Sequence, residues 1–321
     1  MLSLFNGMEI PRIGFGTNGR DSFSPDQVAE AVYGAIGAGY RLIDCASVYN
    51  NEEEIGEVLE QVLSEGKVKR DELFVMSKLW NDMHGKGDVL LSCAKTLRDL
   101  KLDYLDMYIV HWPFPNDAAP GISADIRNPD ARPFNVNDFI TVWRQMEKLM
   151  YMGLVRSLGM SNMTISKLEA VLPQCRIRPG ALQMELHPAF QQSQLFEYCL
   201  EKSIQPIGFC PIGSPNRQDK DEDDVSVIEM PEIKEIAESR GVHPAIICLK
   251  WAAQRGQIPI PFAINEVEYT SNLRCIDNTP LTDVEMDKIA DADRSNRLVR
   301  GEALLWEDAT DWRDIWDETI F

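Results

Sequence analysis

The chain has 321 residues, 44% of them hydrophobic and 26% charged, so it is long enough to bury a large core. Its 51 acidic and 32 basic residues leave a net charge of −19, which repels nucleic acid and anionic membranes and favours a small-molecule partner. The seven cysteines are scattered without a CxxC pair, and no apolar stretch approaches the length of a membrane span. We therefore expect no disulfide framework, no metal site and no leader segment, as in a cytoplasmic protein with reduced thiols.

Short apolar runs alternate with amphipathic segments along most of the chain, as in βα units around a parallel sheet. Eight such pairs predict an α/β fold, a closed (β/α)8 TIM barrel formed by residues 1–321 as a single domain. Helical patterns begin near residues 24, 51, 88, 137, 164, 192, 243 and 266, several of them at a capping residue or an early proline. The predicted strands are 10–16, 41–45, 73–78, 104–111, 155–161, 180–185, 205–211 and 257–261.

Three segments depart from this alternation. Residues 112–137 are rich in Pro, Asp and Asn and are too long for an ordinary connection, which is typical of a loop that shapes an active site. Residues 213–230 contain an acidic run at 219–224. The tail from Arg297 carries Trp306, which either caps the mouth of the barrel or packs with the rest of the tail on its outside.

Polar residues stand where three predicted strands end: Asp44, Lys78 and His111, with Tyr49 in the loop after Asp44. Because the carboxyl ends of barrel strands meet at one face, we expect these four side chains to converge there. Reduction of a carbonyl needs a proton donor, and a free tyrosine, with a pKa of about 10, is a weak acid near neutral pH. A lysine cation would lower the pKa of Tyr49, Asp44 would orient that lysine, and His111 would bind the substrate oxygen.

Around these residues the chain resembles the aldo-keto reductase family over roughly residues 6–290. The most specific stretch is GYRLIDCASVYNNEEEIG at 39–56. Further matches follow in order: VMSKLW at 75–80, LDMYIVHWP at 105–113, GLVRSLGMSN at 153–162 and QMELHP at 183–188. The resemblance implies a nicotinamide-dependent oxidoreductase that interconverts carbonyls and alcohols, with Asp44, Tyr49, Lys78 and His111 as its catalytic tetrad.

The resemblance also implies the cofactor contacts. Ser161, Asn162 and Gln183 match the residues that bind the nicotinamide carboxamide, and Asp44 lies beside them. Phe209 stands where the family usually stacks a tyrosine on the nicotinamide ring, and Asn18 stands where many relatives have tryptophan. The remaining matches are Gly16 and Thr17 in the first loop, and Pro211, Ile212 and Ser214 beside the pyrophosphate.

The segment IPFAINEVEYTSN at 260–272 bears on the choice of cofactor. In the family, a lysine, a serine and an arginine here hold the 2′-phosphate of NADPH. This chain has Phe262, Ala263 and Glu268 instead and keeps the asparagine for adenine as Asn272. A phosphate would lose its cationic partners and meet a like charge, so we predict that NAD(H) is preferred, with NADP(H) possible.

The substrate is less constrained by the sequence. Val48, Tyr49, Trp80, His111, Trp112 and Trp306 are expected to line its pocket. A polar Asn18 slightly favours a sugar, a polyol or another small carbonyl or alcohol compound, handled by a monomer or weak homo-oligomer. The alternatives are an NADPH-preferring aldehyde or ketone reductase, a barrel retained as a binding protein, and a Rossmann dehydrogenase suggested by weak GxGxxG and YxxxK matches at 14–19 and 198–202.

Overall fold

In the computed structural model, which describes residues 1–19, 22–115, 131–215, 224–277 and 279–318, eight parallel strands form one sheet in chain order. After a hairpin of β1 (Leu2–Ser3) and β2 (Glu9–Ile10), these strands are β3 (Phe15–Gly16), β4 (Leu42–Asp44), β5 (Phe74–Leu79), β6 (Met107–Val110), β7 (Leu158–Ser161), β8 (Ala181–Glu185), β9 (Gln205–Phe209) and β10 (Ile258–Pro259). Each of the eight predicted barrel strands has a counterpart in this sheet.

The sheet closes on itself between its first and last strands. The backbone N–H of Gly14 donates to the Pro259 carbonyl at 3.0 Å, and that of Gly16 donates to the Pro261 carbonyl at 2.9 Å. Apolar side chains such as Met76, Ile109 and Ile207 fill the interior. The TIM-barrel prediction is therefore confirmed.

The first predicted strand is only partly correct. Residues 10–16 were expected to form one strand, but Ile10 pairs with Leu2 in the antiparallel hairpin, and the barrel strand begins at Phe15. Pro11 has no N–H to give to a continuous ladder, which explains the break. Ile10 and Leu4 join the interior cluster, so the hairpin covers one end of the barrel.

Helices surround the barrel, and a second apolar layer packs between them and the strands. Ser24 and Thr164 cap the helices that follow them, as predicted. Two helices, Pro231–Arg240 and Asp283–Ala290, were missed, although Pro231 and the capping box of Thr282 and Glu285 mark their starts. The helices are α1 (Pro25–Ala38), α2 (Glu52–Ser64), α3 (Asp88–Asp99), α4 (Val136–Tyr151), α5 (Ile165–Val171), α6 (Ser193–Glu201), α7 (Pro231–Arg240), α8 (Pro244–Gln254), α9 (Glu266–Arg274) and α10 (Asp283–Ala290).

Candidate active site

The four predicted catalytic residues converge at the carboxyl ends of the strands. Asp44 is the last residue of β4, Lys78 lies near the end of β5 and His111 follows β6. A short 3-10 helix, Ser47–Tyr49, turns the chain after β4 and carries Tyr49 back toward Lys78. The Lys78 ammonium donates to Asp44 Oδ1 at 2.6 Å and to the Tyr49 hydroxyl at 3.4 Å. One buried cation thus joins a carboxylate and a phenol.

The electrostatics of Lys78 follow from its burial between these two partners. Its side chain is 1% exposed, and it also donates to the Cys45 carbonyl at 2.8 Å. Burial works to lower the pKa of Lys78, but Asp44 and Tyr49 outweigh it and raise that pKa above its ordinary value. Lys78 is therefore a cation at neutral pH.

The pKa of Tyr49 differs from the expectation. The sequence predicts a lowered pKa for Tyr49, and Lys78 does act in that direction. Burial of the phenol is the larger effect, however, and the charge of Asp44 adds to it, so the pKa of Tyr49 is raised. Tyr49 consequently keeps its proton at neutral pH, as a proton donor must.

A hydrogen-bonded shell fixes Asp44. Gln183 on β8 donates from Nε2 to Asp44 Oδ2 at 3.0 Å, and the Thr17 hydroxyl donates to the Asp44 carbonyl at 2.8 Å. Asn51, which was not predicted as a site residue, donates from Nδ2 to the Thr17 carbonyl at 2.8 Å. Asn51 is only 2% exposed and directly precedes α2. Gln183 and Thr17, predicted as cofactor contacts, are thus joined to the tetrad itself.

His111 lies in an aromatic corner. Its ring is edge-on to Trp80 at 5.1 Å and to Tyr49 at 6.0 Å between centroids. The Asn162 amide Nδ2 donates to the His111 carbonyl at 2.9 Å, and Asn162 has a left-handed φ of 56°. Asn162 therefore reaches back under the loop that carries His111.

Two buried polar atoms beside this corner fit a carboxamide. Ser161 Oγ and Asn162 Oδ1 are buried and have no hydrogen-bond partner among the described residues. Unsatisfied buried polar atoms are costly, so such atoms usually mark a water or ligand position. A carboxamide offers both an N–H donor and a carbonyl acceptor, which suits this pair. The residues present therefore fit a nicotinamide.

The remaining predicted cofactor contacts lie on two segments. Phe209, the last residue of β9, is partly exposed. In the turn that follows, which contains Pro211 and Ile212, the Ser214 hydroxyl contacts Cys210 Sγ at 2.9 Å. Both Cys210 and Ser214 have left-handed φ, at 50° and 41°. In the first loop, Gly16 and Thr17 are buried while Asn18 is exposed.

The segment after β10 presents neutral side chains at positions 262 and 263 and an acidic side chain at position 268. Phe262 packs on Phe15 and Phe23, with ring centroids 6.4 and 5.7 Å away. Ala263 is buried. Glu268, in the first turn of α9, is exposed and accepts from Asn265 Nδ2 at 3.2 Å. Asn272 is 8% exposed on the same helix.

The predicted pocket residues and the tail meet in one aromatic cluster. Trp112 packs on Trp316 with ring centroids 5.5 Å apart, and Trp306 packs on Phe114 at 6.4 Å. Trp80 belongs to the same cluster, while Val48 is partly buried in the 3-10 helix beside Tyr49. The tail therefore covers the segment that follows His111.

Two predicted segments are described only at their ends. Of the long loop 112–137, residues 116–130 lie outside the described residues. Of the acidic run 219–224, Asp224 alone is described, and its carboxylate lies 3.6 Å from Arg300 of the tail. Asp224 is thus paired within the fold.

Two residues that hold the tail, Glu185 and Lys167, were not predicted from the sequence. Glu185, at the end of β8, accepts from the backbone N–H groups of Leu298 and Val299. Lys167 on α5 donates to the Ile315 carbonyl and to Asp317. The sequence feature that could have identified Glu185 and Lys167 is a charged residue within a pattern of buried apolar residues.

Metal clusters, membrane-spanning helices and disulfides are absent from the described residues. No cluster of three or more His, Cys, Asp or Glu side chains in the described ranges could hold a metal ion. None of the helices found in those ranges is long and apolar enough to cross a membrane. All seven cysteines lie within them, and none forms a disulfide.

The family model, the similar sequences and the similar crystal structure all belong to one family. The model of the aldo/keto reductase family matches residues 12–294. The chicken protein named aldo-keto reductase family 1 member A1 is 38% identical over 93% of this chain and 90% of its own length. The aldo/keto reductase slr0942 of Synechocystis is 39% identical over 98% of this chain and 95% of its own. A crystal structure of a Bombyx mori aldo-keto reductase in complex with NADP superposes with a TM-score of 0.82 at 31% identity, covering 92% of this chain and 93% of that one.

Proposed function

This chain belongs to the aldo/keto reductase family, and we propose that it interconverts a carbonyl and an alcohol by moving a proton at the Tyr49 hydroxyl. It is an oxidoreductase that acts between CH–OH and carbonyl groups with a nicotinamide cofactor. The observation that carries the role of Tyr49 is the Lys78 ammonium, buried between Asp44 and the Tyr49 hydroxyl. This arrangement stabilises the phenolate that proton donation leaves behind.

In the proposed mechanism the protein manages the proton and the orientation of the carbonyl. The bound cofactor supplies the hydride. Burial keeps Tyr49 protonated, so it donates to the substrate oxygen as negative charge develops there. Lys78 stabilises the new phenolate, and the His111 imidazole, edge-on to Tyr49, positions that oxygen. In alcohol oxidation, Tyr49 accepts the proton instead.

Replacement of Tyr49 tests this role. Because general acid catalysis typically contributes 10²- to 10⁴-fold, we expect Tyr49→Phe to lower kcat/KM for aldehyde reduction at least about 100-fold. Cofactor affinity, measured by quenching of tryptophan fluorescence, should change little. Tyr33→Phe is the matched control, since Tyr33 also contacts a lysine, Lys67, but on the surface. A Tyr49→Phe enzyme within threefold of the wild type would overturn the proposal.

The alternative of a barrel retained for binding is separated from an enzyme by a turnover assay with a panel of aldehydes and alcohols. It predicts tight cofactor binding by the wild type without turnover of any aldehyde or alcohol. The third alternative, a Rossmann dehydrogenase, is excluded by the closed parallel barrel. Its GxGxxG match precedes α1 by several residues, and its YxxxK match lies on the outer helix α6.

We propose NAD(H) as the preferred cofactor. The complex of the Bombyx mori enzyme with NADP favours NADP(H) as the alternative. Against it, Phe262 is neutral and packs on aromatic rings, whereas Glu268 is an exposed carboxylate at the start of α9. A 2′-phosphate there would meet a negative charge, while a free ribose hydroxyl would find an acceptor.

The ratio of kcat/KM for NADH and NADPH with one aldehyde measures this preference. We expect the wild type to favour NADH and Phe262→Lys/Glu268→Arg to shift the ratio toward NADPH by at least tenfold. Glu266→Arg is the matched control, because Glu266 lies in the same first turn of α9 and is also exposed. A wild-type ratio that favours NADPH would show that the alternative is right.

The substrate is proposed to be a small carbonyl or alcohol compound, with a sugar or polyol as the first class to test. The polar and exposed Asn18 at the first loop supports it. A panel of aldehydes, aldoses and polyols, assayed in both directions, tests it, and activity confined to apolar aldehydes would contradict it. We further propose a cytoplasmic enzyme that is a monomer or weak homo-oligomer, which gel filtration would check.

A further inference from the structure

The tail, residues 297–318, crosses the mouth of the barrel and is held near both ends by charged side chains of the barrel. Near its start, the Glu185 carboxylate accepts from the backbone N–H groups of Leu298 and Val299, both at 2.8 Å. Glu185 is 1% exposed, and its carboxylate also contacts His187 Nε2 at 2.9 Å. A buried carboxylate that binds two successive amides fixes the backbone at that point.

The far end is held by a different helix. The Lys167 ammonium on α5 donates to the Ile315 carbonyl at 2.8 Å and to Asp317 Oδ1 at 2.6 Å. Lys167 is 3% exposed, although Asp317 lies on the surface. The Thr164 hydroxyl at the start of α5 also contacts Asp317. A buried lysine is costly unless it is paired, so this contact is specific to the folded tail.

Between these two points, the tail lies against the active-site wall. A side chain at Gly301 would come within 3.1 Å of the Trp112 ring, so the backbone approaches that ring closely. Trp316 packs on the same ring and donates from Nε1 to the Arg300 carbonyl at 2.9 Å. The Arg297 guanidinium stacks on Trp316 at 3.5 Å. Because Trp112 directly follows His111, the position of the tail sets the position of one wall beside the proposed catalytic histidine.

We propose that Glu185 and Lys167 are positioning residues that fix the tail across the mouth and thereby set the selectivity for bulky over small substrates. Neither residue touches the tetrad, so they act through Trp112 and the tail. This inference rests on the proposed function for its substrate readout. Its structural part, the fixing of the tail, is independent of turnover.

The test compares Lys167→Met, which removes the charge at nearly constant length, with Lys250→Met. Lys250 is a matched control because it is also buried and donates to two carbonyls, those of Cys275 and Thr279, on α8 away from the tail. Glu185→Gln probes the other end, and Lys167→Arg is the conservative rescue. Hydrogen exchange of residues 298–318 is measured without substrate, and kinetics are measured with propanal and 4-nitrobenzaldehyde.

We expect exchange in the tail to speed up at least tenfold in Lys167→Met and Glu185→Gln, and to stay unchanged in Lys250→Met and Lys167→Arg. KM for 4-nitrobenzaldehyde should rise at least fivefold in the first two variants, while kcat and KM for propanal change less than twofold. Unchanged exchange, or equal changes for both aldehydes, would overturn the proposal. If the wild type turns over no aldehyde, aldose or polyol in either direction, the proposed function fails, and the exchange result alone decides whether these residues fix the tail.

Discussion

At Tyr49, two effects on the pKa oppose each other, and their balance decides the proton chemistry. The Lys78 ammonium favours the phenolate, whereas burial and the charge of Asp44 favour the phenol. The sequence predicts which residues meet, because the ends of parallel barrel strands converge. It does not predict the net direction of the pKa, because burial of Tyr49 depends on the short helix that folds it inward.

The pH dependence of turnover follows from this raised pKa. A proton donor works below its pKa, so reduction should stay constant up to about pH 10, the ordinary value for tyrosine, and fall only above it. Oxidation should rise with pH over the same range, because it needs the phenolate. Profiles of kcat/KM in both directions measure the inflection.

Asp44→Asn tests the cause. Removal of the carboxylate takes away a charge that raises the pKa of Tyr49, so the inflection should move to lower pH. The amide oxygen can still accept from Lys78, which preserves the contact. An inflection that stays in place or moves upward would contradict this account of Tyr49.

At the scale of the element, helix contacts were harder to predict than helix positions. The sequence predicted α2 from its pattern near Asn51. It did not indicate that α2 approaches the end of α3 so closely that a Cβ at Gly56 would lie 1.9 Å from the Asp99 carbonyl oxygen. The two missed helices carry a proline or a capping box but show weak amphipathic patterns. The partners of Glu185 in the tail are more than 110 residues away along the chain. Such contacts depend on tertiary packing.

Two glycines on helices should respond to alanine in opposite ways. Alanine normally stabilises a helix by up to about 1 kcal/mol relative to glycine, and Gly37→Ala on α1 should do so because a Cβ there meets nothing within 4 Å. Gly56→Ala should instead destabilise the fold by about 3 kcal/mol, since backbone atoms of α3 block the methyl group. Urea unfolding monitored by circular dichroism measures both, and equal effects would contradict the packing argument.

At the scale of the whole molecule, closure of the barrel joins residues nearly 250 positions apart. The Gly14 N–H reaches the Pro259 carbonyl, and a Cβ at Gly14 would lie 2.5 Å from Ile260 Cδ1 and 2.8 Å from Leu42 Cδ2. The eight strands were predictable from eight apolar runs, but periodicity alone does not distinguish a closed barrel from an open sheet. A side chain at Gly14 would therefore compete with Ile260 and Leu42 for space where the first and last strands meet.

Gly14→Ala should therefore weaken closure. We expect a loss of about 1 to 3 kcal/mol in the free energy of unfolding, the usual cost of an extra methyl group in a packed core. Ile260→Val removes the atom nearest to the new methyl group, so the double variant should be more stable than the sum of the two single effects implies. Additive effects in this cycle would show that Gly14 is not limiting closure. Because the reacting groups lie on strands that the closed barrel holds in register, the Gly14→Ala enzyme should also lose turnover more steeply with temperature than the double variant.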